Sequence, residues 1–206
     1  MKNVDYSLYL VTDRNIIGER DILTCVEEAI KGGVTIVQLR EKEISSLKFY
    51  NIAIKFKELT NKYNIPLIIN DRVDIALAVD ADGVHVGQED IPAKKVRELI
   101  GKDKILGVSV SNIHEAYKAI EDGADYIGVG AIFPTDTKKD IISIGIDTLK
   151  EINNNVNCKI IAIGGINENN VSKLVGLCDG VAVISAILGK ENIEDAARKI
   201  KNIFNK

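Results

Sequence analysis

The chain has 206 residues and a net charge of −3. This length allows one sizeable hydrophobic core, and the slightly acidic charge excludes the basic stripe expected of a nucleic-acid-binding protein. The three cysteines lack Cys-x-x-Cys spacing, so neither a disulfide framework nor a zinc site is indicated. We therefore expect a soluble, cytoplasmic protein with one domain over residues 1–206, no signal peptide and no membrane-spanning run.

Eight apolar segments recur along the chain, and each ends in small, charged or hydroxylated residues. Such continuous Val/Ile/Leu runs are typical of parallel strands that helices cover on both faces. The segments are YSLYLVTD (6–13), IVQLREK (36–42), LIIND (67–71), GVHVGQED (83–90), ILGVSVS (105–111), YIGVGAIFPTDTK (126–138), IIAIGG (160–165) and GVAVIS (180–185).

Helical patterns fill the gaps between these segments, with start signals at Asp21, Ser45, Asn112, Asn167 and Asn192. Eight units leave about 26 residues each, enough for a strand, a helix and two short loops. A doubly wound open sheet is the structural alternative, but it usually has five or six strands. The pattern favours a (β/α)8 TIM barrel, in which the polar strand ends gather on one rim.

Two aspartates end neighbouring strands of this predicted barrel. Asp71 follows the third strand and Asp90 the fourth, with Asn70 beside them. Magnesium is typically held by one or two carboxylates together with substrate phosphates and water. The alternative is structural: Asp71 caps the next helix and Asp90 precedes a proline turn. Two carboxylates on adjacent strand ends favour the metal site.

Three cations are predicted on the same rim: Arg40 and Lys42 after the second strand, and Lys138 after the sixth. An apolar strand that ends in Arg needs an anion or water for the guanidinium. For Arg40 alone, an ion pair within the barrel is an equally good explanation. Three cations with two carboxylates together favour a site for magnesium and a diphosphate.

A second anion site is indicated after strands seven and eight. Gly164 and Gly165 follow the seventh strand, and Ile184 and Ser185 close the eighth. Loops at these positions of a barrel often bind phosphate through backbone N–H groups, although glycine also serves tight turns. The polar segment 134–143 lies between the two sites, and we expect either a substrate-closing lid or an ordinary surface loop.

His85 lies within a predicted strand, so we expect a structural histidine and not a catalytic base. No Ser-His-Asp arrangement is visible in the sequence. A lysine that forms a Schiff base stays open, but Lys42 and Lys138 fit better as anion partners.

Six motifs, in order, resemble the thiamine phosphate synthase family over essentially the whole chain. They are QLREK (38–42), NDRVDIALAVDADGVHVGQED (70–90), GVSVSN (107–112), YIGVGAIFPTDTKKD (126–140), AIGGI (162–166) and VISAI (183–187). The resemblance implies a βα barrel that joins a hydroxymethylpyrimidine diphosphate to a thiazole ethyl phosphate and releases diphosphate. The implied reaction is a dissociative substitution that needs Mg²⁺ and no general base at the thiazole nitrogen.

The resemblance also implies a role for each matching residue. Asp71 and Asp90 would bind Mg²⁺. The thiazole phosphate would contact Thr135, Asp136, Thr137, Gly165, Ile184 and Ser185. The pyrimidine diphosphate would contact Gln38, Leu39, Arg40, Glu41, Lys42, Asn70, Ser109 and Lys138, of which Arg40, Lys42, Ser109 and Lys138 are the expected catalytic residues.

The chain departs from the family pattern at two positions: Ala131 stands where proline is common, and Asp136 places a negative charge between two threonines. Two other functions stay open. A related barrel acts as a thiazole tautomerase, and a barrel of this kind can also bind phosphate without catalysis. The metal and diphosphate positions favour the synthase, with small-molecule substrates and no nucleic-acid or membrane partner. The oligomeric state, including a homo-oligomer, stays open.

Overall fold

Parallel strands close into a barrel in the computed structural model, which describes residues 4–135 and 143–206. Each strand pairs with the next along the chain, and β1 pairs with β8, Leu8 opposite Val181. This closure excludes the open sheet and confirms the predicted barrel. The strands are β1 (Leu8–Val11), β2 (Ile36–Leu39), β3 (Leu67–Asn70), β4 (Gly83–Val86), β5 (Ile105–Val110), β6 (Tyr126–Gly130), β7 (Lys159–Ile163) and β8 (Gly180–Val183).

Helices alternate with the strands and pack around the barrel. Four of the predicted start signals are confirmed, because Asp21, Ser45, Asn112 and Asn192 each accept a hydrogen bond from the N–H group three residues on. The helices are α1 (Arg14–Ile17), α2 (Ile22–Lys31), α3 (Ser46–Lys62), α4 (Val73–Ala78), α5 (Ala93–Ile100), α6 (Ile113–Glu121), α7 (Gly145–Asn155), α8 (Ser185–Leu188) and α9 (Ile193–Phe204).

The prediction of an α-helix that starts at Asn167 is wrong. Only one turn of 3-10 helix forms there, Val171–Leu174. Asn167 and Asn170 use their side chains on nearby backbone: Asn170 Oδ1 accepts from the Asn167 N–H at 2.8 Å, and Asn167 Oδ1 accepts from the Asn169 N–H at 2.9 Å. These local bonds compete with helical ones, which makes asparagine a poor residue for extending a helix.

The core has two layers, one on each face of the sheet. The larger layer lies between the strands and the helices and is built from aliphatic side chains with Phe49 and Phe56. The smaller one fills the barrel interior and includes Tyr9, Ile68 and Tyr126. Because side chains alternate along a strand, every second residue of each strand points into the interior. The row of inward-facing side chains extends along the strand to the rim.

The N-terminal ends of the strands are joined by a repeated contact. The residue just before each even-numbered strand accepts a hydrogen bond, through its side chain, from an N–H of the preceding odd strand. The pairs are Thr35 with Leu8 (3.2 Å), Asp82 with Leu67 (3.0 Å), Asp125 with Leu106 (2.8 Å) and Asp179 with Ile160 (2.9 Å). This end of a barrel serves stability, so we assign these contacts to the fold.

Among the described residues, no helix is both long enough and apolar enough to cross a membrane. The three cysteines are free thiols.

Candidate active site

Asp71 directs its carboxylate at a cation and does not cap the helix that follows. The N-cap position of α4 is Arg72, which makes no capping bond through its side chain. Asp71 has φ 61°, and its N–H donates to the His85 carbonyl on the neighbouring strand at 2.8 Å. This backbone turn holds the side chain on the rim, where Lys42 Nζ lies 2.5 Å from Oδ2. The helix-cap alternative for Asp71 is therefore excluded.

Asp90 brings a second carboxyl group to the same place. Its Oδ2 accepts a hydrogen bond from the Gly87 N–H at 2.7 Å, and its carboxyl group interacts electrostatically with that of Asp71. Burial and the adjacent Asp71 raise the pKa of Asp90 above its usual value. Burial acts in the same sense on Asp71, but interactions with Lys42 and Asp90 outweigh it and lower the pKa of Asp71. Two carboxyls this close compete for ionisation.

The carboxylate oxygens of this pair are ligands that suit Mg²⁺. Among the described residues, no group of three or more His, Cys, Asp or Glu side chains is arranged to hold a metal. Magnesium needs only one or two carboxylates when substrate phosphates and water supply its other ligands. A divalent cation would also relieve the repulsion between Asp71 and Asp90, so the chemistry of these donors matches the predicted site.

Arg40 stands at the same rim, at the end of β2. Its Nη1 lies 3.1 Å from Asp13 Oδ2, and the backbone N–H of Arg40 donates to Thr12 Oγ1 at 2.9 Å. The ion pair left open by the sequence is thus present, and it holds a half-buried guanidinium in place beside the rim. Asp13 was missed by the sequence analysis, although the polar ending of the first apolar segment marks its position.

Leu39 and Glu41 alternate with these residues and point elsewhere. Leu39 is fully buried in the outer core, so only its backbone faces the neighbouring strands. Glu41 forms an ion pair with Arg14, whose Nε lies 3.2 Å from Oε2. Neither side chain is free to bind a diphosphate.

The other half of the rim contains a cavity of about 1290 Å³. It lies at the ends of β5 to β8 and extends over the start of α8. Residues from separate strands and loops line it, among them Ser109, Gly130, Thr135, Gly165 and Ser185. The charged cluster of β2 to β4 and this cavity are therefore neighbouring parts of one rim.

Gly165 must be glycine for the cavity wall to form. Its φ is 65°, and an added Cβ would lie 2.4 Å from the Pro134 carbonyl oxygen and 2.7 Å from that of Phe133. The close approach is possible because the chain after β6 runs beside β7, with the Phe133 N–H donating to the Gly164 carbonyl at 3.1 Å. Asn170 Nδ2 donates to the Gly165 carbonyl at 2.9 Å and fixes the turn. The turn thus places Thr135 next to Gly165.

Comparison with known proteins agrees with this geometry. The family model described as thiamine monophosphate synthase matches residues 8–187. The chain belongs to this family.

Individual relatives in the thiamine monophosphate synthase family match almost end to end. A thiamine-phosphate synthase of Clostridium tetani is 62% identical over 205 residues, covering 99% of this chain and 98% of the relative. One from Alkaliphilus oremlandii is 62% identical over 200 residues, covering 96% and 95%. Among solved structures, a thiamine phosphate pyrophosphorylase from Pyrococcus furiosus has a TM-score of 0.89 and 39% identity, covering 98% of this chain and 96% of that one.

The structure brings most of the predicted site residues of this family member to one rim. Gln38 and Asn70 lie at the ends of β2 and β3, while Ile184 directly precedes α8, whose first residue is Ser185. Asp136, Thr137 and Lys138, like most of the expected lid, lie outside the described residues. His85 is hydrogen-bonded through both ring nitrogens, to Tyr126 and Ser109, as expected for a structural histidine.

Proposed function

We propose that this chain joins a hydroxymethylpyrimidine diphosphate to a thiazole ethyl phosphate, giving thiamine phosphate and diphosphate. Two unlike sets of anion-binding groups on one rim support this proposal, because the reaction joins two phosphorylated substrates. Membership of the family supports the same reaction.

The pyrimidine diphosphate is assigned to the β2 to β4 half of the rim and to Ser109, on β5 at the near edge of the cavity. Arg40 and Lys42 supply positive charge, and Lys138 is proposed as a third cation on the strength of its motif. Gln38, Asn70 and Ser109 offer hydrogen bonds. We limit Leu39 and Glu41 to backbone contacts, because the leucine side chain is in the outer core and the Glu41 carboxylate is paired with Arg14.

Asp71 and Asp90 are the proposed magnesium ligands. Bound there, Mg²⁺ would add positive charge next to the diphosphate, which is the group that carries the developing negative charge. The protein's own part is to hold two carboxylates together and to keep Lys42 within reach of both the carboxylate and the substrate.

The thiazole phosphate is assigned to the cavity. Gly165, Ile184 and Ser185 offer backbone N–H groups and a hydroxyl, and Thr135 adds a second hydroxyl. By motif, Asp136 and Thr137 complete this site. Neutral donors suit a phosphate monoester that must bind and leave as part of the product.

The chemistry needs little from the protein beyond charge and position. The bond between the pyrimidine methylene and the diphosphate oxygen breaks, and both electrons leave with diphosphate. The thiazole nitrogen then donates its lone pair to the methylene carbocation. That nitrogen carries no proton, so no base is needed, which agrees with the bonded state of His85. Catalysis is then mainly electrostatic stabilisation and positioning.

The observation that carries this proposal is the charged cluster of Arg40, Lys42, Asp71 and Asp90 beside a cavity closed by Gly165. The test is to incubate the purified protein with both substrates and Mg²⁺ and to measure thiamine phosphate and diphosphate. Both products should form in equal amounts, and excess chelator should stop their formation. Tautomerisation of a carboxylated thiazole phosphate without coupling would instead support the tautomerase reading.

We further propose that residues 1–206 act as one catalytic domain in the cytoplasm, on small molecules only. The three free thiols agree with a reducing compartment. Whether the protein forms a homo-oligomer can be measured by light scattering.

A further inference from the structure

A chain of four hydrogen bonds crosses the barrel interior from Gln38 to Ser109. Gln38 Nε2 donates to the Tyr9 hydroxyl at 2.8 Å, and that hydroxyl lies 2.7 Å from the hydroxyl of Tyr126. The Tyr126 hydroxyl lies 2.9 Å from His85 Nδ1, and His85 Nε2 lies 2.8 Å from Ser109 Oγ. Both ends of the chain are residues that the proposed function assigns to the pyrimidine diphosphate.

Glycines make room for this chain between the strands. A Cβ added at Gly107 would lie 2.1 Å from Tyr126 Cζ and 2.5 Å from His85 Nδ1. A Cβ at Gly128 would lie 3.1 Å from His85 Cε1. Tyr9 and Tyr126 are each 1% exposed and His85 is 9% exposed. The missing side chains at Gly107 and Gly128 thus leave space in the interior for the three large polar side chains of Tyr9, Tyr126 and His85.

The enclosed position keeps the phenols protonated. Burial raises the pKa of Tyr9 and of Tyr126 well above the usual value for a phenol. A buried donor or acceptor without a partner costs free energy. Each tyrosine hydroxyl in this chain of hydrogen bonds must therefore accept from one neighbour and donate to the other, in the same direction along the chain.

We propose that Tyr9, Tyr126 and His85 are positioning residues, which fix the Gln38 amide and the Ser109 hydroxyl for the pyrimidine diphosphate; this rests on the proposed function. The Gln38 amide donates to Tyr9, so Tyr9 donates to Tyr126 and Tyr126 donates to His85 Nδ1. His85 is then the Nε2–H tautomer and donates to Ser109 Oγ. The Ser109 hydrogen is left to donate to the pyrimidine diphosphate, at the β5 edge of the cavity, where Ser109 lies.

The first test uses Tyr126→Phe, which interrupts the chain of hydrogen bonds in its middle and keeps the aromatic ring. Steady-state kinetics should show kcat/KM for the pyrimidine diphosphate lowered about 5- to 10-fold, as expected when one hydrogen bond to the substrate is misaligned, with KM for the thiazole phosphate within about twofold of wild type. Tyr6→Phe is the matched control, because the Tyr6 ring packs against Tyr126 at 5.4 Å while its hydroxyl is outside the four-bond chain. Its kinetic constants should equal those of wild type.

Loss of efficiency toward both substrates equally, or no loss at all, would overturn the positioning role. Should Tyr126→Phe fail to fold, Tyr9→Phe removes the hydrogen bonds of the Tyr9 hydroxyl to Gln38 and Tyr126, and it carries the same expectation through Gln38.

The second test is independent of turnover. Nitrogen-15 NMR of the ligand-free wild-type protein should show His85 as the Nε2–H tautomer, and Tyr126→Phe should shift the ring signals while Tyr6→Phe leaves them in place. An Nδ1–H tautomer in wild type would reverse the chain and overturn the donor role of Ser109. Wild-type protein that makes no thiamine phosphate would contradict the proposed function, and the tautomer result would still stand or fall by itself.

Discussion

Lys42 and Asp71 form an ion pair across the ends of β2 and β3, with Nζ 2.5 Å from Oδ2. In the ligand-free protein, this lysine therefore occupies one of the two proposed magnesium ligands. In the proposed reaction, the bound diphosphate would give Lys42 another anion to pair with and so free Asp71 for the metal. The ion pair thus connects the proposed diphosphate contacts with the proposed metal ligands.

Lys42→Gln should accordingly affect metal binding and turnover in opposite directions. Removing the competing cation should tighten Mg²⁺ binding to the free protein by about threefold, since half-exposed pairs of this kind are weak. Loss of a charged contact to the diphosphate should lower kcat/KM by about tenfold or more. Calorimetry and steady-state kinetics measure the two effects, with Lys48→Gln on exposed α3 as the control. Weaker Mg²⁺ binding with unchanged turnover would contradict the shared role.

Asp90→Asn should raise the Mg²⁺ concentration needed for half-maximal rate and lower kcat at least about tenfold. The amide can still accept the Gly87 N–H, so the loop should keep its shape. Calorimetric binding of thiazole phosphate should stay within about twofold of wild type, because that substrate is assigned to the cavity. Asp74→Asn, which alters an exposed ion pair on α4, is the control. An unchanged magnesium profile would remove Asp90 from the metal site.

Ser185→Ala tests the cavity half of the rim. It removes one neutral hydroxyl from a site that also uses backbone donors, so KM for the thiazole phosphate should rise about fivefold. The magnesium profile should not change. Ser46→Ala, which removes a hydroxyl bound by Arg72 away from the cavity, serves as the comparison. Were Ser185→Ala instead to abolish magnesium dependence, the division of the rim into two sites would be wrong.

Hydrophobic runs were enough to predict the strands and the rim that carries Asp71, Asp90, Arg40 and Lys42, because a buried parallel strand leaves a local signal. The Tyr9–Tyr126 contact could not be predicted, since it joins residues 117 positions apart that meet only when the barrel closes. The missing α-helix after Asn167 has a local cause, the side-chain hydrogen bonds of two asparagines. These bonds compete with the backbone bonds of a helix, and hydrophobic periodicity does not reveal that competition.

The thiols should react slowly in the folded protein. Burial raises the pKa of Cys158 and of Cys178 to about 11. The reactive thiolate is then about one part in a thousand at pH 8, and its fraction grows as pH rises toward 11. Ellman's reagent should label these residues slowly at pH 8, faster at pH 10, and all three cysteines promptly in denaturant. Rapid labelling of folded protein at pH 8 would show that these thiols are not shielded.

Asp179→Ala should destabilise the barrel without changing its chemistry. Asp179 Oδ2 accepts from the Ile160 N–H at 2.9 Å, at the rim opposite the proposed site, and Oδ1 pairs with Lys159 at 2.6 Å. Removing the acceptor should lower the free energy of unfolding by about 1–3 kcal/mol, because a backbone N–H between strands loses its partner. Lys159→Ala removes only a half-exposed cation and should cost less than about 1 kcal/mol. Denaturant unfolding measures both variants, and kcat and KM of the folded fraction should match wild type. Equal losses of stability in the two variants would mean that the ion pair matters and the hydrogen bond to Ile160 does not.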